Sequence, residues 1–280
     1  MSRHIFRSAL AVLALALLLA APAWAARAKD FHQTASLEPD GRLRVCTYKG
    51  TIELIPWDKP LVEVHATIEA PADVSDSYAR KTVDATRVVV TGNRGAVTVE
   101  VDYDDVPAER GWLGFDSSKI LPYAHLKVHA PRKVRLVVED YKSDIELDGF
   151  DGKIRIQTYK GTVRGRDLSG EVVMDTYKGE VDFTRLAGRL DAETYKGRID
   201  IEASRLEGRC RLKTYKGDIR LVLDSRQPVT VISDISAKGT LIDRLGRSAE
   251  AGPSRPAEQA GMETVRLSVE TYKGQIRLER

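Results

Sequence analysis

Four Tyr-Lys pairs recur at a near-constant interval in this 280-residue chain: Tyr159-Lys160, Tyr177-Lys178, Tyr195-Lys196 and Tyr215-Lys216. A phenol ring combines apolar area with a hydroxyl, and a lysine ammonium is a compact point charge. Together they suit sugar rings that carry carboxylate or phosphate groups, so these eight residues are the candidate ligand-binding set. Each pair lies in a Thr-Tyr-Lys-Gly motif, which begins at Thr47, Thr158, Thr176, Thr194, Thr214 and Thr271. Degenerate copies stand at Asp140-Tyr141-Lys142-Ser143 and Ser236-Ala237-Lys238-Gly239. A row of like charges costs electrostatic free energy that an acidic polymer relieves. A structural account competes with this one. Stacked identical aromatics stabilise one another, lysine stems pack over rings, and Glu139, Asp175, Glu180, Glu193 and Asp218 are placed to offset the lysines.

Other residues with chemical potential are isolated. Asp102, Asp104 and Asp105 form the densest acidic cluster, more in keeping with a solvated strand end than with a calcium site. His125 and His129 are four apart on one expected strand, roughly 13 Å at about 3.3 Å per residue, too far to share a metal ion. His65 stands singly on another strand. Gly111-Trp112-Leu113-Gly114-Phe115 reads as an aromatic loop that folds over the end of the molecule or inserts into a partner. No phosphate loop, zinc pattern or nucleophile elbow occurs. No catalytic residue, metal site or cofactor is expected.

The elements that position the Tyr-Lys pairs follow from the spacing. Tyr141, Tyr159, Tyr177 and Tyr195 are 18 residues apart, and Tyr215 follows after 20. Apolar residues alternate before each motif (Leu136/Val138, Ile154/Ile156, Val172/Met174) and after it (Ile145/Leu147, Val163/Gly165, Val181/Phe183). This is the period of strands with one buried face, two per unit, separated by a Lys-Gly turn. Gly161, Gly179, Gly197 and Gly217 fit turn positions with positive φ. A unit this short cannot bury its apolar face alone, so identical units should stack. The expected fold is all-β: a single-stack parallel β-solenoid with units of about 18–20 residues, an antiparallel sandwich being the second choice. Thr falls on the inner face; Tyr and Lys fall outside.

The phrase Val128-His129-Ala130-Pro131, followed by Val134–Val138 and strand–x–Gly–x–Ile–x–Leu units, resembles the bacterial putative-adhesin domain family. That family is of unknown function and has a β-solenoid fold. The resemblance covers most of the chain. It implies binding behaviour and transfers no catalytic residues. The persistent Tyr-Lys departs from the small or polar residues usual in the family before the turn glycine.

The remaining chain divides around the repeats. Arg3 and Arg7, the aliphatic run Ala9–Ala21 and Ala23-Trp24-Ala25 read as a signal peptide over residues 1–25, cleaved after Ala25. The mature chain should be periplasmic or secreted, with no transmembrane segment. Losing two arginines lowers the formal charge from +3 to +1, so nucleic acid is not an expected partner. Residues 26–133 should form a less regular β region that caps the repeats. Its expected strands are Arg42–Tyr48, Thr51–Ile55, Leu61–Ile68, Thr86–Thr91, Ala96–Tyr103 and His125–His129. A helix or irregular stretch is expected at Val74–Asp84, and a turn at Asn93-Arg94-Gly95. Residues 134–280 should form the repeat array, with an inserted loop at 246–261 before a final unit at Glu263–Glu279. Cys46 faces outward and Cys210 inward, which disfavours a bridge. The expected function is non-enzymatic: an exported adhesin-like protein that binds an envelope glycan or protein or serves a structural role. The alternative is a polysaccharide lyase or hydrolase, and a purely structural protein assembling end to end is the third reading.

Overall fold

The computed structural model describes residues 27–110, 117–224, 227–245 and 264–280. The signal segment, the aromatic loop at 111–115 and the inserted loop at 246–261 lie outside the described residues. The N-terminal part supplies β1 (Ala28–Ser36), β2 (Arg42–Cys46), β3 (Lys49–Trp57), β4 (Leu61–Glu69), α1 (Asp76–Ala85), β5 (Arg87–Asn93), β6 (Ala96–Asp102), β7 (Glu109–Arg110), β8 (Ser117–Ser118) and β9 (Tyr123–Pro131). The repeats supply β10 (Lys133–Asp148), β11 (Asp151–Arg166), β12 (Ser169–Lys196), β13 (Ile199–Leu206), β14 (Arg209–Lys216), β15 (Ile219–Leu223), β16 (Val229–Asp243) and β17 (Val265–Glu279). Apart from the short pair β7–β8, these strands join one sheet.

The 18-residue interval becomes parallel pairing in register. Ile154 lies opposite Leu136 and Val172, Ile156 opposite Val138 and Met174, and Val163 opposite Ile145 and Val181. All nine of these side chains are buried. Phe183 lies opposite Gly165, where a Cβ would come 2.8 Å from the Phe183 ring. The large ring thus fills the space that the glycine leaves.

The strands β10, β11, β12 and β17 run through the motif without a break. The motif acts as a corner. Thr158 and Val163 both point inward although five residues apart, so the two-residue alternation is reset between them. At Gly161, φ is 134°, and a Cβ would stand 2.0 Å from the Ser143 carbonyl oxygen. Only glycine lets adjacent corners approach this closely. Gly197 and Gly217 also have positive φ, whereas Gly179, expected to share it, does not.

The all-β class is as expected, with 74% of the described residues in strands and 4% in helix; the single-stack parallel β-solenoid is not what forms. Strands β12, β13, β15, β17 and β14 pair successively and β14 returns to β12, so the sheet closes into a five-strand parallel barrel with the other strands outside it. Chain order fails as well. β17 lies against β14 and β15, and β16, which precedes it in sequence, pairs on its far side. The physical reason is complementarity: the intact motif at Thr271 matches Thr214 residue for residue, while β16 carries the degenerate copy and pairs with a register shift between Ile235 and Lys238.

The N-terminal strands extend the same sheet. β2 and β3 pair in parallel with successive parts of β10, and β3 continues to β9. β1 and β9 then flank β4, each antiparallel to it, and β5 pairs antiparallel with β6. The Asn93 side-chain oxygen accepts from the Gly95 and Ala96 amides, making the expected turn. The helix α1 starts on Ser75, whose hydroxyl accepts from the Tyr78 amide, and buries Tyr78, Ala79, Thr82 and Val83.

Candidate functional site

The corners bring the tyrosines into one column. Tyr48, Tyr141, Tyr159, Tyr177, Tyr195, Tyr215 and Tyr272 stack in that order, in six steps of 4.6, 4.8, 5.0, 4.9, 4.8 and 4.8 Å between ring centroids. No step is tilted by more than 14°. Tyr103 closes one end edge-on against Tyr48 at 6.4 Å, and the Lys238 ammonium covers the Tyr272 ring at 5.5 Å at the other. The four tyrosines singled out from the sequence are all in the column. Tyr48, Tyr141 and Tyr272 belong to it too, and their motifs at Thr47, Asp140 and Thr271 were the signal for them.

This geometry changes what the rings offer. Each face inside the column is covered by the next ring, so a sugar has no flat aromatic platform there. The rings present their edges and hydroxyls to solvent. Tyr177 and its neighbours are thus a column that holds the corners in line, each stacked pair contributing roughly 0.5–1.5 kcal/mol beyond its area burial.

Beside the column runs a row of lysines. Lys49, Lys142, Lys160 and Lys178 are cross-strand neighbours, as are Lys196, Lys216, Lys273 and Lys238. Lys196 follows Lys178 along β12, where their tyrosines are adjacent in the stack. The ammonium groups of Lys178, Lys196 and Lys216 lie 5.4, 5.7 and 5.5 Å from the centroids of the preceding tyrosines, within cation–π range.

Among the described residues, none of these eight lysines forms an ion pair. The acids expected to offset the row are engaged elsewhere. Glu139 holds Arg44 at 2.6 Å, Glu193 pairs with Arg211 and Lys213, and Glu180 pairs with Arg198. Asp218 accepts the Gln275 amide at 2.7 Å. Asp175 makes no ion pair among the described residues. Lys49 titrates below the ordinary lysine range, first because burial penalises its charge and second because Lys142 repels it.

Thr158, Thr176, Thr194, Thr214 and Thr271 form the buried inner side of the corners. Asp140 replaces threonine in the degenerate copy. Its carboxylate accepts from the Ser143 amide at 2.7 Å, the Ser143 hydroxyl at 2.6 Å and the Thr158 hydroxyl at 3.0 Å. Burial nevertheless raises the Asp140 pKa, outweighing those bonds.

A groove of about 830 Å³ lies elsewhere and includes Glu146, Asp148, Arg164, Arg166 and Asp167. Three of its acids are tied to arginines: Glu146 to Arg164, Asp148 to Arg166, Asp167 to Arg185. These pairs lie 18 residues apart and support the strand register rather than one singular reacting centre. The Asp102 cluster binds Arg87, which meets Asp102 at 2.7 Å and Asp105 at 3.0 Å. Cys46 and Cys210 are both free. Burial pushes the Cys46 thiol up to about 11 and raises Cys210 as well, so both are held as unreactive thiols.

No family model and no curated protein matches the chain. Similar solved structures include a putative cell adhesion protein from Clostridium sporogenes, 10% identical over 90% of this chain and 99% of that one, with a TM-score of 0.36. A putative adhesin from Bacteroides fragilis is 11% identical over 89% and 97%, with a TM-score of 0.39. A putative lipid binding protein from Parabacteroides distasonis is 10% identical over 89% and 96%, with a TM-score of 0.43.

Proposed function

We propose that this chain is an exported, non-catalytic adhesin-like protein that holds a linear acidic glycan along its lysine row. The observation that carries the reading is the file of eight cross-strand lysines that form no ion pair among the described residues, on a surface whose arginines are largely paired. Two unit charges about 4 Å apart repel by about 1 kcal/mol in bulk water and about 4 kcal/mol near a protein surface. A polyanion with a regular charge spacing removes that repulsion and releases its own counterions. The tyrosine column supplies straightness and a parallel line of hydroxyl groups, rather than ring-on-sugar stacking. The leader-like residues 1–25 support export, and no described helix is long and apolar enough to cross a membrane.

The test is titration calorimetry with a soluble polyuronate, a neutral glucan of similar length and anionic lipid vesicles. Binding should favour the polyuronate, weaken steeply with added salt, and fall at least about tenfold when Lys178, Lys196 and Lys216 are changed together to Ala, a loss of about 1.4 kcal/mol. Equal binding of the neutral glucan, or an unaltered affinity in the triple variant, overturns the reading. Preferential binding to vesicles assigns the row to a lipid surface and also overturns it. Shortening of the polyuronate on prolonged incubation returns the lyase or hydrolase alternative.

A further inference from the structure

Four histidines gather across the antiparallel strand pairs β1–β4 and β4–β9. His32 lies directly opposite His65, and Glu63 directly opposite His129. Because Glu63 and His65 are two apart on the central strand, all four side chains share one face. The Glu63 carboxylate is the hub: His32 Nε2 is 3.1 Å from Oε1, His65 Nε2 is 3.7 Å from Oε1, and His129 Nδ1 is 3.8 Å from Oε2. The donor atoms of His32, Glu63 and His65 all lie within 4.8 Å of one another. His129 Nδ1 is itself buried and has no hydrogen-bond partner.

We infer that His32, Glu63 and His65 form a site for a borderline-soft divalent transition ion such as Zn²⁺. Imidazole nitrogens with one carboxylate are the donor set that such ions take, and ligands at about 2.0–2.1 Å from a tetrahedral ion stand roughly 3.3 Å apart. The separations to Glu63 are already near that value. The His32 and His65 rings are stacked at 4.2 Å with only 17° between their planes, so one ring must tilt for both nitrogens to face one ion. Both side chains are about half exposed, which leaves room for that rotation.

His129 borders the group through Glu63, its Nδ1 lying 3.8 Å from Oε2. Trp57 stacks on His129 at 5.0 Å and limits its orientation. Lys127 lies opposite His65 but is drawn to Glu53 at 3.3 Å. His32 and His65 also border a hollow of about 610 Å³, from which a water or a ligand atom reaches the ion.

The experiment is titration of untagged protein with Zn²⁺, with Ca²⁺ and Mg²⁺ in parallel, followed by calorimetry. One Zn²⁺ per chain should bind, with no uptake of the two hard ions. His32→Ala and Glu63→Gln should each weaken Zn²⁺ at least about tenfold. His125→Ala serves as the control, since that ring is held by Thr51 and Glu69 outside the cluster, and it should bind like the parent. Circular dichroism of each variant reports the fold. The inference is overturned if the parent takes up no Zn²⁺, if His32→Ala with Glu63→Gln binds as the parent does, or if His125→Ala loses as much as they do.

Discussion

At the scale of single residues, Asp140 shows what a substitution inside the repeat costs. Six other motifs place threonine at this inward position, and Asp140 must keep a carboxylate there against burial. Its pKa in the folded chain is raised, with burial the leading cause and the bonds from Ser143 and Thr158 opposing it. The sign follows from linkage: a carboxyl with a raised folded pKa is worth most to the fold when protonated. That contribution is full below the ordinary aspartate range and is lost as pH climbs through the raised range. Asp140→Asn removes the titration while keeping a carbonyl acceptor. The stability difference between parent and Asp140→Asn, from urea melts at a series of pH values, should therefore move against the parent as pH rises from acid to neutral. A difference that stays flat with pH removes Asp140 as a buried ionising group. The position was legible in the sequence as a degenerate motif; the conflict between its burial and its three donors was not, because it depends on Ser143 and Thr158 arriving on the same side.

At the scale of elements, the tyrosine column and the strands it aligns separate two roles that the motif combines. Tyr177 is stacked on both faces, at 5.0 and 4.9 Å, and is 41% exposed at its edge. Replacing it with Ala removes two stacks and should lower stability by about 1–3 kcal/mol. Tyr177→Phe keeps both stacks and loses only a hydroxyl that makes no hydrogen bond among the described residues, so its urea midpoint should stay near the parent's. Equal losses in the two variants assign the stabilisation to the hydroxyl instead. The inward Thr and outward Tyr were readable from alternation alone, since the side-chain period of a strand is two. That the ring faces are covered was not readable, because it depends on the distance between corners. The histidine cluster was hidden for a related reason. Along the sequence His65 stands alone and His129 lies 64 residues beyond it, and only the antiparallel registers of β1, β4 and β9 bring them to Glu63.

At the scale of the whole molecule, the placement of β17 between β14/β15 and β16 makes the C-terminal strand a keystone. Sequence order supplied a final unit after the inserted loop. The parallel units and their in-register side chains were legible from the 18-residue spacing, but the spatial order of β16 and β17 was not, because identical motifs compete for the same neighbour and the better match wins. Val265, Leu267, Val269, Ile276 and Leu278 of β17 are all buried, each burial being worth roughly 1.5–3 kcal/mol. β16 pairs with no described strand other than β17. Deleting residues 264–280 should therefore strip amide protection from residues 229–243 as well and weaken it in β14 and β15. β10 and β11, at the Tyr141 and Tyr159 end of the column, should keep theirs. Hydrogen exchange read by mass spectrometry on the truncated chain checks this directly. If β16 stays protected it has re-paired with β14 and β15 in chain order, and β17 is then a replaceable edge rather than the strand on which the C-terminal part of the sheet depends.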